Sequence, residues 1–175
     1  MLISKETKFR GRVVEVNVET VQLPNGVRTV LDVVHHPGGA AIAAVDAADR
    51  VCLLHQFRHA AGGRVWELPA GKLEPGEPPQ ATAQREIIEE AGVFARSWCS
   101  LGTCISSPGV FTEVVHLFLA TDLEAAVANP EQSEVFEVHW VPLPQACARA
   151  LAGDLLDAKT CIGLLRAAER LRQKP

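Results

Sequence analysis

The stretch Gly71–Val93, GKLEPGEPPQATAQREIIEEAGV, decides how the rest of the chain is read. Glu86, Glu89 and Glu90 sit in a segment of helical composition, behind a Gly/Pro-rich loop that carries Glu77. Successive helical residues turn by about 100°, so Glu90 lies about 40° and Glu89 about 60° from Glu86, on either side of it. The three carboxylates therefore share one narrow face. Ala83, Ile87, Ile88 and Ala91 lie on the other side, at the spacing of a stripe packed on a core. Pro78 and Pro79 suit the first turn, where a missing N–H is least felt, and Gly92 is placed to end the helix in a left-handed conformation.

Like charges on one helix face repel by roughly a few tenths of a kcal/mol per pair, so their concentration asks for a reason. Hard divalent cations supply one: they take oxygen ligands, and Mg²⁺ accepts one or two carboxylates beside waters and substrate phosphates. Arg85, four residues before Glu89, is spaced to hold that carboxylate. An acidic run alone reads more readily as a solvated face. The whole pattern is more specific. Gly71, Glu77, Arg85, Glu86, Ile87, Glu89, Glu90, Gly92 and Val93 occupy every specified position of the Nudix box. On these residues the chain resembles the Nudix hydrolases, which cleave nucleoside diphosphates linked to another group.

Composition is compatible with that reading. A chain of 175 residues with 47% hydrophobic content suits one domain with a sizeable core, plus a small N-terminal appendage. The net charge of −4, without a basic patch or aromatic platforms, argues against a nucleic-acid binder. Cys52, Cys99, Cys104, Cys147 and Cys161 show no CxxC or zinc spacing, and are expected as reduced, structural thiols. With no charged-then-apolar leader and no apolar run of about 20 residues, the chain is expected to be soluble and cytoplasmic, without membrane contact.

Outside the box, Arg12–Val21 and Val27–Val34 read as an antiparallel hairpin turned by Pro24-Asn25-Gly26. Ala40–Val45 and Val51–Phe57 read as buried strands joined by an Asp-rich turn. The adjacent His35 and His36 would point to opposite faces of an extended segment and are unsuited to one ion. Arg58, at a strand end, is a candidate phosphate clamp, because a guanidinium makes paired hydrogen bonds to phosphate. It reads equally as an ordinary surface arginine. Trp98–Ser106, Val114–Thr121 and Val135–Val141 read as further strands. The polar loop 125–134 carries Glu131 and Glu134, candidates for a mobile carboxylate that activates water. Two helices, separated near Gly153-Asp154, complete the chain.

Further residues make the chain similar to the ADP-ribose pyrophosphatase branch of the Nudix family. They are Gln56-Phe57-Arg58, Trp66-Glu67-Leu68-Pro69-Ala70-Gly71-Lys72, Ser107-Pro108-Gly109, His116–Ala120 and Asp157-Ala158-Lys159-Thr160, with Pro108 sixteen residues after Gly92. The resemblance implies an α/β/α sandwich around a mixed sheet, preceded by an N-terminal antiparallel β-hairpin. Residues 1–36 would form a strand region that packs on a partner chain in a homodimer, and residues 37–175 the hydrolase domain. Glu86 and Glu90, with the Ala70 carbonyl, would bind Mg²⁺ or Mn²⁺, with Glu89 supporting metal or water. Glu134 would be the loop base, with Glu131 in reserve. Arg58, Trp66 and Pro108 would contact the substrate, ADP-ribose or a related nucleoside diphosphate sugar. GDP-mannose, sharing every metal ligand, and a non-catalytic nucleotide-sugar sensor are the alternatives. Phe57, Gln132 and Ser133 depart from the branch, which often has a tyrosine and acids there.

Overall fold

The computed structural model describes residues 1–130 and 133–173. Its centre is β4 (Gly39–Ala44), GAAIAA, in which every residue is buried. Strand side chains alternate between faces, and here the two faces meet different helices. Ala40, Ile42 and Ala44 pack with Cys52 and Leu54 of β5 (Arg50–Arg58), Phe118 and Ala120 of β9 (Val114–Ala125), and Ala83 and Ile87 of α1 (Pro79–Ala91). The intervening Ala43, Val45, Val51, Leu53 and Leu119 pack on α2 (Leu143–Ala152) through Leu143 and Ala146, and on α3 (Ala158–Arg172) through Leu164 and Ala167. A layer covered on both faces needs apolar residues at both parities. This explains the unbroken runs the sequence shows.

The mixed sheet has the order β7-β4-β9-β8, with β7 (Ala70–Lys72) and β8 (Val93–Ile105) at its edges. Within it β4 and β9 run parallel, and the other pairs are antiparallel. A second, antiparallel sheet, β10-β5-β6, is formed with β6 (Gly63–Glu67) and β10 (Phe136–Pro142). The result is an α/β/α sandwich.

The expected N-terminal hairpin is present as β2 (Glu15–Gln22) and β3 (Arg28–His35). Gly26 turns it at φ 85°, its N–H donating to the Leu23 carbonyl. An additional strand, β1 (Leu2–Arg10), pairs with β2 and makes a three-stranded sheet. All nine residues of β1 are exposed, so no buried face imposes a period-two pattern for the sequence to display. Val34 joins the sheet to the rest, donating to Val110 O at 2.8 Å and accepting from Thr112 N at 3.0 Å. The five cysteines are free, Cys52 alone among them fully buried. Among the described residues, no helix is long and apolar enough to cross a membrane.

Candidate active site

Helix α1 forms as its sequence predicts at both ends. Pro78 is the N-cap, Pro79 opens the first turn, and Gly92 closes the helix at φ 64° with its N–H on the Ile88 carbonyl. The placement of the acids differs from the simple picture of opposite faces. Thr82, Ala83, Glu86, Ile87 and Glu90 are all buried, so two carboxylates lie on the core side of the helix. They can do so because β7 passes beside them with its backbone uncovered. A Cβ at Gly71 would stand 1.7 Å from Glu86 Oε1 and 2.0 Å from its Cδ. The glycine is therefore a space requirement of the Glu86 carboxylate.

Glu90 is 1% exposed, and its Oε2 accepts the Ala70 N–H at 2.8 Å. The other oxygen, Oε1, is buried without a hydrogen-bond partner. Burial pushes the Glu90 carboxyl up to about 8 against the opposing Ala70 hydrogen bond, and the charges of Glu86 and Glu134 push the same way. Burial also raises Glu86, outweighing the attraction of Arg85. Arg85 is the counter-charge of the cluster. Its Nη1 donates to Glu86 Oε1 at 2.7 Å and Glu89 Oε2 at 3.0 Å, and its Nε to Glu77 Oε1 at 3.4 Å. Glu77 also accepts the Thr82 hydroxyl at 2.8 Å and the Glu74 N–H at 3.2 Å, which ties the loop to the helix. The Thr82 bond chiefly, then Arg85, holds the Glu77 carboxyl below the usual range.

Glu86 and Glu89 border a cavity of about 500 Å³. Its walls bring Glu86, Glu89, Glu134, Arg58 and the Ala70–Lys72 backbone together. Arg58 is not idle there: Nε and Nη2 donate to the two oxygens of Glu67, both at 2.8 Å. Burial would raise Glu67, but Arg58 and the neighbouring Lys159 win and hold its carboxyl low. Lys159 Nζ lies 2.9 Å from Glu67 Oε2 and also lines the cavity. Glu67 and Lys159 both stand in stretches that carry the branch resemblance, but the sequence assigns neither a role, since they meet across 92 residues. At the other end stand His36 and Glu113, Nδ1 to Oε1 3.3 Å apart, while His35 turns away to Glu19 at 2.7 Å.

Trp66 and Pro108 are not among the lining residues. Glu67 points to Arg58 and Lys159, so alternation sends Trp66 to the other side of β6. There it stacks on His55 with ring centroids 4.5 Å apart, meets His139 edge-on at 4.8 Å, and lies under the Arg149 guanidinium at 4.7 Å. Pro108 is exposed in the turn where Val110 N donates to Ser107 O. Glu131 lies outside the described residues.

Among the described residues, no three His, Cys, Asp or Glu side chains already converge as a metal cage. The donor set nevertheless suits a hard cation that needs only one or two protein carboxylates. Glu90 Oε1 is a buried oxygen without a donor, Glu86 shares its field, and both are held against deprotonation by burial. A divalent ion would relieve each of these at once.

The NUDIX domain family matches residues 35–160. An ADP-ribose pyrophosphatase of Bacillus subtilis is 38% identical over 164 residues, covering 93% of this chain and 89% of its own. One from Mycobacterium tuberculosis is 36% identical over 167 residues, covering 93% and 80%. The fold matches a crystal structure of an ADP compounds hydrolase with a TM-score of 0.83, over 98% of this chain and 94% of the other, at 23% identity.

Proposed function

The chain belongs to the NUDIX family, and on that premise we propose that it is a divalent-metal-dependent pyrophosphohydrolase acting on ADP-ribose or a related nucleoside diphosphate sugar. AMP and ribose 5-phosphate are the products from ADP-ribose. The observation that carries the reading is the pair Glu86 and Glu90, buried beside a cavity with one Glu90 oxygen unpartnered.

In this reading Glu86 and Glu90, with the Ala70 carbonyl, hold Mg²⁺ or Mn²⁺, and Glu89 supports them. The chemistry such a cation supplies when bound is polarisation of a phosphoryl oxygen and a lower pKa for water. Arg58 binds the diphosphate through donors that Glu67 leaves unused. Glu134, which lines the cavity, takes the proton of the attacking water. The N-terminal strands pair two copies. Leu2, Ile3, Phe9, Val30 and Leu31 are all exposed there, apolar side chains on the two faces of the sheet that a partner would cover.

The test is turnover of ADP-ribose beside GDP-mannose and other nucleotide-sugars, with and without Mg²⁺, with the products identified. Preferential Mg²⁺-dependent release of AMP and ribose 5-phosphate is expected. Activity confined to another nucleotide-sugar would discard the substrate and keep the chemistry. Binding without turnover of any of them would make the chain a sensor.

A further inference from the structure

Two cations stand in the same cavity as the acids, and Glu67 holds both. Arg58 occupies the end of β5, Lys159 the first turn of α3, and both line the cavity. Glu67 is 4% exposed, and its oxygens take the paired Arg58 bonds and the Lys159 ammonium at 2.9 Å. Lys159 also lies 3.0 Å from Asp157 Oδ2. That carboxylate caps α3 by accepting the Thr160 N–H at 3.0 Å, and Thr160 Oγ1 accepts the N–H of Leu68 at 2.8 Å. The backbone next to Glu67 and the turn bearing Lys159 are thus fastened to each other.

A buried carboxylate must be paired, and the Arg58 fork already reaches both Glu67 oxygens. A second cation on the same group is more than pairing requires. Arg58 directs two of its five N–H donors to Glu67, and Lys159 one of its three to Glu67 while its charge also pairs with Asp157, so each keeps donors for a guest. Resting on the pyrophosphohydrolase reading, we propose that Lys159 is a second substrate-binding cation, and that Glu67 is the positioning residue that sets Arg58 and Lys159 as a two-point clamp for a diphosphate. A planar fork suits one phosphoryl group and a compact ammonium the other. The clamp also offsets the repulsion that Glu86, Glu89 and Glu134 exert on an anion.

The experiment is steady-state hydrolysis of ADP-ribose at saturating Mg²⁺ by the wild type, Lys159→Gln, Lys159→Arg, Glu67→Gln and the Lys159→Gln/Glu67→Gln double variant, with thermal melts of each. Lys159→Gln is expected to raise KM about 10- to 100-fold, as loss of a charged hydrogen bond does, with kcat within about 3-fold of wild type. Lys159→Arg should restore most of the KM. Glu67→Gln should raise KM as well, and the lysine substitution should then have a smaller effect than in the wild-type background. If the glutamine variant melts early, Lys159→Met, which keeps the aliphatic stem, gives the same reading. A folded, charge-lacking variant with unchanged KM overturns the clamp while leaving the hydrolase reading intact. A wild type inactive on every nucleoside diphosphate sugar overturns both.

Discussion

At the scale of single residues, Glu90 is a carboxyl held in a place that suits its neutral form until a cation arrives. Its carboxyl is pushed up from 4.5 to about 8, so the metal-free folded chain binds a proton that the unfolded chain has released across that range. The contribution of Glu90 to stability is then fully present below about pH 4.5 and is lost as pH rises through about 8. With chelator present, melting of the wild type should fall by several degrees between about pH 5 and 9. Glu90→Gln should flatten that dependence, raise the melting point at the alkaline end and abolish most turnover. Equal slopes in the two proteins would refute the assignment. Gly71→Ala tests the neighbouring carboxylate, since a methyl there overlaps Glu86. The displaced ligand should lower kcat/KM about 100-fold or more in a folded protein, and unchanged kinetics would show that the carboxylate's place is not critical.

Among the elements, α1 is the one whose termini matter most to the site. Gly92 takes a left-handed conformation, and a Cβ there would also touch Ala128 Cβ at 3.4 Å. Gly92→Ala should therefore cost about 1 kcal/mol, read as a lower denaturation midpoint at unchanged slope. Because the cap lies beyond Glu90, kcat should stay near wild type. A matching loss of kcat would mean that the cap also sets the ligand geometry. The helix was legible in the sequence because its caps, apolar spacing and acids are local signals. Strand β1 was not, since a strand exposed along its whole length has no face whose burial would write a pattern.

For the whole molecule, the N-terminal sheet is the part whose surface is hardest to reconcile with a lone chain. Val30 is 60% and Phe9 58% exposed. If these strands pair two copies, sedimentation should give about twice the 18.9 kDa chain mass, and Val30→Glu should shift the species towards one chain. A monomer for the wild type at micromolar concentration would discard the dimer. The cavity is likewise a property of the whole molecule: β5, β7, β8, α1, α3 and the segment before β10 each bring a group to it.

By itself the sequence determined the box, the helix that carries it and the buried central strands, because each rests on contacts between near neighbours or on a local apolar pattern, while the layering was implied by the resemblance. Only the tertiary structure decided which partners those residues meet. Glu67 and Lys159 lie 92 residues apart and acquire a shared role only when α3 docks on β6. Trp66 and Glu67 are adjacent in the chain, yet pleating turns one into an aromatic cluster and the other towards Arg58 and Lys159. Long-range packing and strand parity carry no mark in the spacing of a motif, which is why the acids were readable from the chain and the clamp was not.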